Sequence, residues 1–89
     1  MDTEISKLSY EGRGDAVVAL VSRQPSAVSE KDSSGRLAIH WAASGGHGSI
    51  CDFLVSKGSP SDAADDSGWT PLMIAVSAGR EDIVGKIRR

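Results

Sequence analysis

The sequence of 89 residues has little of several residue types, and each scarcity excludes a class of protein. Its single cysteine, Cys51, cannot form a disulfide within the chain, and a cysteine-based zinc site needs several such ligands. Basic residues are not in excess: ten Lys and Arg face twelve Asp and Glu, for a net charge of −2. This balance argues against a nucleic-acid-binding protein and against a polybasic membrane anchor.

Long apolar runs are also missing, since no segment approaches the roughly 18 residues of a transmembrane helix. The first residues, Met1-Asp2-Thr3-Glu4, are acidic and lack the basic-then-apolar pattern of a signal peptide. Together with the lone thiol, these features favour a reducing compartment over secretion. We therefore expect no membrane association.

Ten glycines in so short a chain call for a test of internal repetition. Residues 32–47 align with residues 65–80 at an offset of 33, and a fainter copy places Gly12 34 positions before Gly46. The identical pairs are Asp32/Asp65, Ser34/Ser67, Gly35/Gly68, Ala42/Ala75, Ser44/Ser77 and Gly46/Gly79. The sequence predicts one domain, residues 1–89, built from units of approximately 1–31, 32–64 and 65–89.

Each unit has the pattern helix, turn, helix, loop. In the third unit, Thr70 can cap a first helix and Pro71 suits its first position, where a missing N–H is harmless. Gly46 and Gly79 are placed to end the first helices of their units in a left-handed conformation. The last apolar residues, Ile83, Val84 and Ile87, are expected to be partly bare and to favour self-association through this uncapped end.

The period of 33, the Thr70-Pro71-Leu72 start and the glycine between two short helices resemble the ankyrin repeat. Residues 39–47, the segment 65–72 and Ala78-Gly79-Arg80 resemble the gankyrin family of ankyrin-repeat proteins, with Trp41 and Trp69 the most specific points. The resemblance implies an all-α fold, an ankyrin-repeat solenoid of about two and a half repeats. Because the family has about seven repeats, the sequence is expected to be an N-terminal fragment or a short isoform.

That resemblance also implies a function. Members of the gankyrin family act as chaperones for assembly of the proteasome 19S regulatory particle, and they bind the C-terminal domain of an ATPase subunit. The implied partner is therefore a proteasomal ATPase subunit, and the implied location is the cytoplasm and nucleus. The alternative is an ankyrin-type regulator of a cyclin-dependent kinase or of another signalling partner.

Partner contact is predicted at the turns between units, where large or charged side chains have little core to fill. Trp69 follows Gly68 at one such turn, and Arg36 holds the equivalent place one unit earlier. Aromatic and arginine side chains dominate binding energy at interfaces. The predicted contact residues are Arg36, Asp66, Ser67, Trp69 and Arg80, with Ser33, Ser44 and Ser77 as small neighbours. The acidic run at 62–66 either steers a basic partner or, more commonly, caps and solvates the loop.

The remaining candidates have structural interpretations. His40 is expected to bond backbone groups within and between units, and Cys51 to be a buried small apolar residue. The serines do not stand in a catalytic order with histidine and aspartate, and Gly45-Gly46-His47-Gly48 lacks the ending of a phosphate loop. We therefore expect a binding protein that is not an enzyme, with no cofactor and no metal.

Overall fold

The computed structural model describes residues 2–87. In that range the chain forms six α helices and one short 3₁₀ helix, and no strand. The helices are α1 (Glu4–Tyr10), α2 (Gly14–Arg23), α3 (Ala38–Gly45), α4 (Gly48–Ser56), α5 (Pro71–Ser77) and α6 (Glu81–Ile87), with the 3₁₀ helix (Pro25–Ser29) following α2. The predicted all-α fold is confirmed.

The helices are arranged as three pairs stacked side by side. The first helices form one row, in which α1 packs on α3 and α3 on α5, and the second helices form a row of α2, α4 and α6. The two helices of each pair also pack against each other. Because the contacts between pairs join consecutive pairs along the chain, the arrangement is a solenoid.

Local chemistry sets the starts and ends of the first helices. Thr3 and Thr70 accept hydrogen bonds through their side-chain oxygens from the N–H groups of Ser6 and Met73, as a helix N-cap does. Pro71 occupies the first turn of α5, as predicted. Gly46 ends α3 with φ of 79°, a left-handed conformation in which a side chain would be strained.

The core lies between the two rows and between neighbouring pairs. It is made of small and branched apolar residues, which let the helices approach closely. The buried apolar residues are Ile5, Val17, Leu20, Val21, Ala27, Val28, Leu37, Ala38, Ile39, Ala42, Ala43, Ile50, Cys51, Leu54, Ile74, Ala75, Ile83 and Ile87. None of the helices in residues 2–87 has the length and apolar character needed to cross a bilayer.

The expectation of a partly bare α6 is wrong for two of its three residues. Ile83 and Ile87 are buried, because α6 packs on both α4 and α5 of the stack. Val84 is half-buried. The exposed apolar side chains at this end lie on α5 instead, where Met73 and Val76 are 44% and 62% exposed.

Candidate functional site

Two turns with the same geometry precede α3 and α5, and an aspartate organises each. One carboxylate oxygen of Asp32 accepts hydrogen bonds from the N–H groups of Ser34 and Arg36, each 2.9 Å long. Thirty-three residues later, Asp65 accepts them from Ser67 and Trp69 at 2.9 and 2.8 Å. Both aspartates are buried. Each turn is therefore held in one conformation by its own carboxylate.

The second carboxylate oxygen of each aspartate accepts from a side chain. Asp32 Oδ2 accepts from the Trp41 indole N–H at 2.8 Å, and Asp65 Oδ2 accepts from Arg36 Nε at 2.8 Å. Burial by itself raises the pKa of both carboxyl groups, but the hydrogen bonds that favour the charged form outweigh it and lower each pKa below its ordinary value. Both groups are anionic at neutral pH.

Arg36 links the second and third pairs. Besides its ion pair with Asp65, its guanidinium carbon lies 4.7 Å from the centre of the Trp41 ring, a cation–π distance. Trp41 in turn meets Tyr10 of the first pair edge-to-face at 5.7 Å. A row of contacting side chains therefore runs across all three pairs, in the order Tyr10, Trp41, Arg36 and Asp65.

His40 holds the Trp69 turn from the other side. Its Nδ1 accepts the N–H of Leu37, so Nε2 carries the proton and donates to the carbonyl oxygen of Trp69 at 3.0 Å. The ring is fully buried, and this burial lowers the pKa of His40 below its ordinary value. The structural interpretation of His40 is confirmed.

A groove opens beside this turn, between α3 and α5. It measures about 240 Å³ and is lined by Arg36, Ser44, Trp69, Ile74, Ser77 and Ala78; we call it the Trp69 groove. Trp69 is 38% exposed, although its backbone N–H and carbonyl are both hydrogen-bonded. The backbone is thus fixed while the indole is presented at the groove.

The structure brings some of the predicted contact residues together and separates one. Arg36 and Trp69 share the groove, and Asp66 and Ser67 are exposed on the turn that leads into it. Arg80 lies elsewhere, in the turn between α5 and α6, where it lines a different groove. Its guanidinium packs over Gly46, where an added Cβ would lie 2.9 Å from Arg80 Cζ, and its Nη2 is 3.4 Å from the Ser44 carbonyl.

Sequence reasoning missed other parts of the site. It noted Asp32 and Asp65 as identical repeat positions and gave the acidic run at 62–66 a loop-capping role, but it did not single out these two carboxylates as the ones that organise the turns. The signal was the identity of the two positions at the 33-residue offset. Ile74 and Ala78 were also missed as groove residues, since nothing in the sequence of this segment distinguishes them from core.

The other reactive side chains do not assemble into a site. In residues 2–87 no three His, Cys, Asp or Glu side chains lie close enough to hold a metal ion. Cys51 is buried, as predicted, and burial is the main cause that raises the pKa of its thiol to about 12. The thiol is therefore protonated and unreactive at neutral pH.

Comparison with known proteins agrees with this architecture. The family profile for ankyrin repeats matches residues 6–87, in three copies. The 26S proteasome non-ATPase regulatory subunit 10 of Mus musculus is 42% identical over 67 residues, which are 75% of this chain and 29% of the mouse protein.

Similar figures hold for two further relatives. The Homo sapiens subunit of the same name is 40% identical over 67 residues, covering 75% of this chain and 30% of its own length. A probable 26S proteasome regulatory subunit of Saccharomyces cerevisiae is 41% identical over 71 residues, 76% of this chain and 31% of the yeast protein. The chain thus spans about three tenths of the length of these relatives. With three matched repeats that account for all six helices, the chain belongs to the ankyrin-repeat family, and within that family it is similar to proteasome regulatory subunit 10, as the gankyrin resemblance predicted.

Proposed function

We propose that this ankyrin-repeat chain is a scaffold that binds a folded protein partner through the Trp69 groove. The observation that carries the proposal is the exposed indole of Trp69 beside the Arg36 guanidinium, on a turn whose backbone is anchored at both N–H and carbonyl. Such a surface needs little ordering when a partner binds, because its backbone is already fixed.

The chemistry of the groove suits a mixed apolar and polar segment of a partner. The indole supplies a large apolar face, and Ser44 and Ser77 keep the groove open by being small. Arg36 lines the groove and pairs with Asp65 through Nε, and a guanidinium has four further N–H donors. The exposed Asp66 adds a negative charge at the rim, so a partner with both an acidic and a basic group is favoured.

By similarity to proteasome regulatory subunit 10, the proposed partner is the C-terminal domain of a proteasomal ATPase subunit. Occupying that domain would order its docking during assembly of the 19S regulatory particle, in the cytoplasm and nucleus. The support is the roughly 40% identity to proteins named as subunits of the 26S proteasome. Binding, without catalysis, is all that the proposal requires of the chain.

The test is a titration of the 89-residue chain with the recombinant C-terminal domain of each proteasomal ATPase subunit, by calorimetry. Trp69→Ala should weaken binding by about tenfold or more, as removal of a central aromatic anchor does. The fold should persist, because the hydrogen bonds at this position are made by the backbone. Val18→Ala is the matched control, since Val18 is also an exposed apolar residue, 44% exposed on α2.

Three results would contradict the proposal in distinct ways. Absence of binding to every ATPase domain would remove the proposed partner. Capture of a cyclin-dependent kinase would favour the alternative regulator. Equal affinities for the native chain, Trp69→Ala and Val18→Ala would show that the partner binds a different surface.

A further inference from the structure

The three pairs carry different side chains at one equivalent position, in the last turn of the first helix. Tyr10, Ser44 and Ser77 correspond at offsets of 34 and 33 residues. The structure supports the first correspondence, because the carbonyl of Tyr10 accepts from His47 Nε2 at 2.9 Å. The carbonyl of Ser44 is reached, at 3.4 Å, by Arg80 Nη2, which stands 33 residues after His47. The first pair therefore carries an aromatic ring where the next two pairs carry a serine hydroxyl.

Two aromatic rings lie between α1 and α3, in the place that corresponds to the Trp69 groove. Tyr10 meets Trp41 edge-to-face, with 5.7 Å between the ring centres, and the Arg36 guanidinium carbon lies 4.7 Å from the centre of the Trp41 ring. Both contacts are attractive, because the face of an aromatic ring is negative and its edge is positive. All three side chains come from the two repeat units that flank this place.

Smaller side chains leave the Trp69 groove open. Ser44 takes the place of Tyr10, and Ile74 takes the place of Trp41. The aromatic wall of the groove is the indole of Trp69. A groove of about 240 Å³ is therefore present where, one unit earlier, one ring packs against another.

We propose that the Trp69 groove binds an aromatic side chain of the protein partner, in the place that Tyr10 takes between the first two pairs. The proposal rests on the proposed function, since it specifies what the partner inserts into the same groove. The charge of the groove favours a ring over an aliphatic side chain of equal size. Arg36 brings a cation to the wall, and the face of an aromatic ring carries the complementary negative charge. The Trp69 indole adds an aromatic pair, which a saturated side chain does not form.

Two small probes test the proposal without a protein partner. N-acetyl-phenylalanine amide and N-acetyl-cyclohexylalanine amide have side chains of nearly equal size, but the second has a saturated ring. Titration of the 89-residue chain is followed by NMR at the indole N–H signals, and the Trp69 signal is identified by its loss in Trp69→Phe. The Trp41 indole N–H is the internal reference, because it donates to Asp32 at 2.8 Å.

The phenylalanine probe should shift the Trp69 signal with a dissociation constant of about 1–10 mM, as expected for a small ligand at an open groove. It should bind about three- to tenfold more tightly than the saturated probe, which is the advantage of one aromatic pair. Equal or weaker binding of the phenylalanine probe would overturn the proposal. So would a Trp69 signal that does not move up to the solubility limit of the probe.

Substitution of Ser44 tests the place of the ring. Ser44→Tyr puts a ring on α3 where Tyr10 stands on α1, so it should weaken binding of the phenylalanine probe by at least about tenfold. Ser22→Tyr, at an exposed position of α2, is the matched control and should leave binding unchanged. Trp69→Leu keeps an apolar wall and should abolish the preference for the aromatic probe. Unchanged binding by a folded Ser44→Tyr chain, or a preference that persists in Trp69→Leu, would overturn the proposal.

The same variants separate this proposal from the proposed function. An ATPase domain whose affinity falls with Trp69→Ala but not with Ser44→Tyr would leave the proposed function standing and would overturn the insertion of an aromatic side chain. Selective binding of the phenylalanine probe, when no ATPase domain binds, would support the aromatic site and remove the proposed partner.

Discussion

Removal of the Asp65 carboxylate is the sharpest test of how the repeats are joined. This side chain accepts three hydrogen bonds, from the N–H groups of Ser67 and Trp69 and from Arg36 Nε, all between 2.8 and 2.9 Å. Its side chain is only 4% exposed, and that of Arg36 is 23% exposed. Asp65→Ala therefore leaves three donors without their acceptor, one of them charged and mostly shielded from water.

The loss in the free energy of unfolding that Asp65→Ala should cause follows from this geometry. Breaking a buried ion pair by removing one partner costs about 3–5 kcal/mol. A chain of 89 residues has a total free energy of unfolding of about 4–13 kcal/mol, so Asp65→Ala should remove a large share of it. Asp65→Asn keeps an oxygen for the two backbone donors and loses the charge, so we expect a smaller loss of about 1.5–3 kcal/mol.

The measurement is urea unfolding followed by circular dichroism, with the exposed Asp62→Ala as the matched control. That control should change stability by less than about 0.5 kcal/mol. A double-mutant cycle of Asp65→Asn with Arg36→Met isolates the ion pair, because Arg36→Met should be less damaging once the carboxylate is gone. A loss for Asp65→Ala as small as that for Asp62→Ala would refute the central role assigned to this carboxylate.

Three further predictions concern buried groups. The pKa values of Asp32 and Asp65 are lowered in the folded chain, so these groups contribute stability that is fully present above about pH 3.9 and is lost as pH falls through their pKa values in the folded state. The pKa of His40 is also lowered, so the free energy of unfolding begins to fall as pH drops below about 6.5, where the unfolded chain binds a proton that the buried ring does not. Urea midpoints measured from pH 7 to 3 should therefore begin to fall below about pH 6.5 and fall again below about pH 3.9, and a flat profile would contradict these shifts. The Ser6 hydroxyl is buried with no hydrogen-bond partner in residues 2–87. Ser6→Ala should therefore raise the free energy of unfolding by up to about 1 kcal/mol in the same assay. A decrease of more than about 1 kcal/mol would show that the hydroxyl makes a stabilising hydrogen bond. Cys51, with its pKa raised to about 12, should react with an aromatic disulfide reagent at least about a hundredfold more slowly in the native chain than in urea, and equal rates would disprove its burial.

Much of the fold could be predicted because the same residues at helix starts and helix ends recur in more than one repeat. The Thr70-Pro71 start and the glycine at the end of α3 are short-range signals, and the structure confirms both. The bare end was predicted on the wrong helix. The sequence placed Ile83 and Ile87 on the last helix, but it could not show that α6 turns both residues toward α4 and α5.

The candidate site was predictable only in part, for the same reason. The turn residue Trp69 and its equivalent Arg36 could be found by alignment of the repeats, since their positions depend on local turns. That Arg36 reaches across to Asp65, and that Arg80 lines a different groove, depends on how adjacent pairs stack. Side chains 29 residues apart meet only once that stacking exists.

The sequence by itself determined the helix pairs, their period, their caps and their glycine stops, because these depend on contacts within a few residues. Only the tertiary structure decided which charges are buried and which indole faces solvent. The physical reason is that burial is set by the neighbouring repeat: the same position is covered at Ala43 and open at Val76.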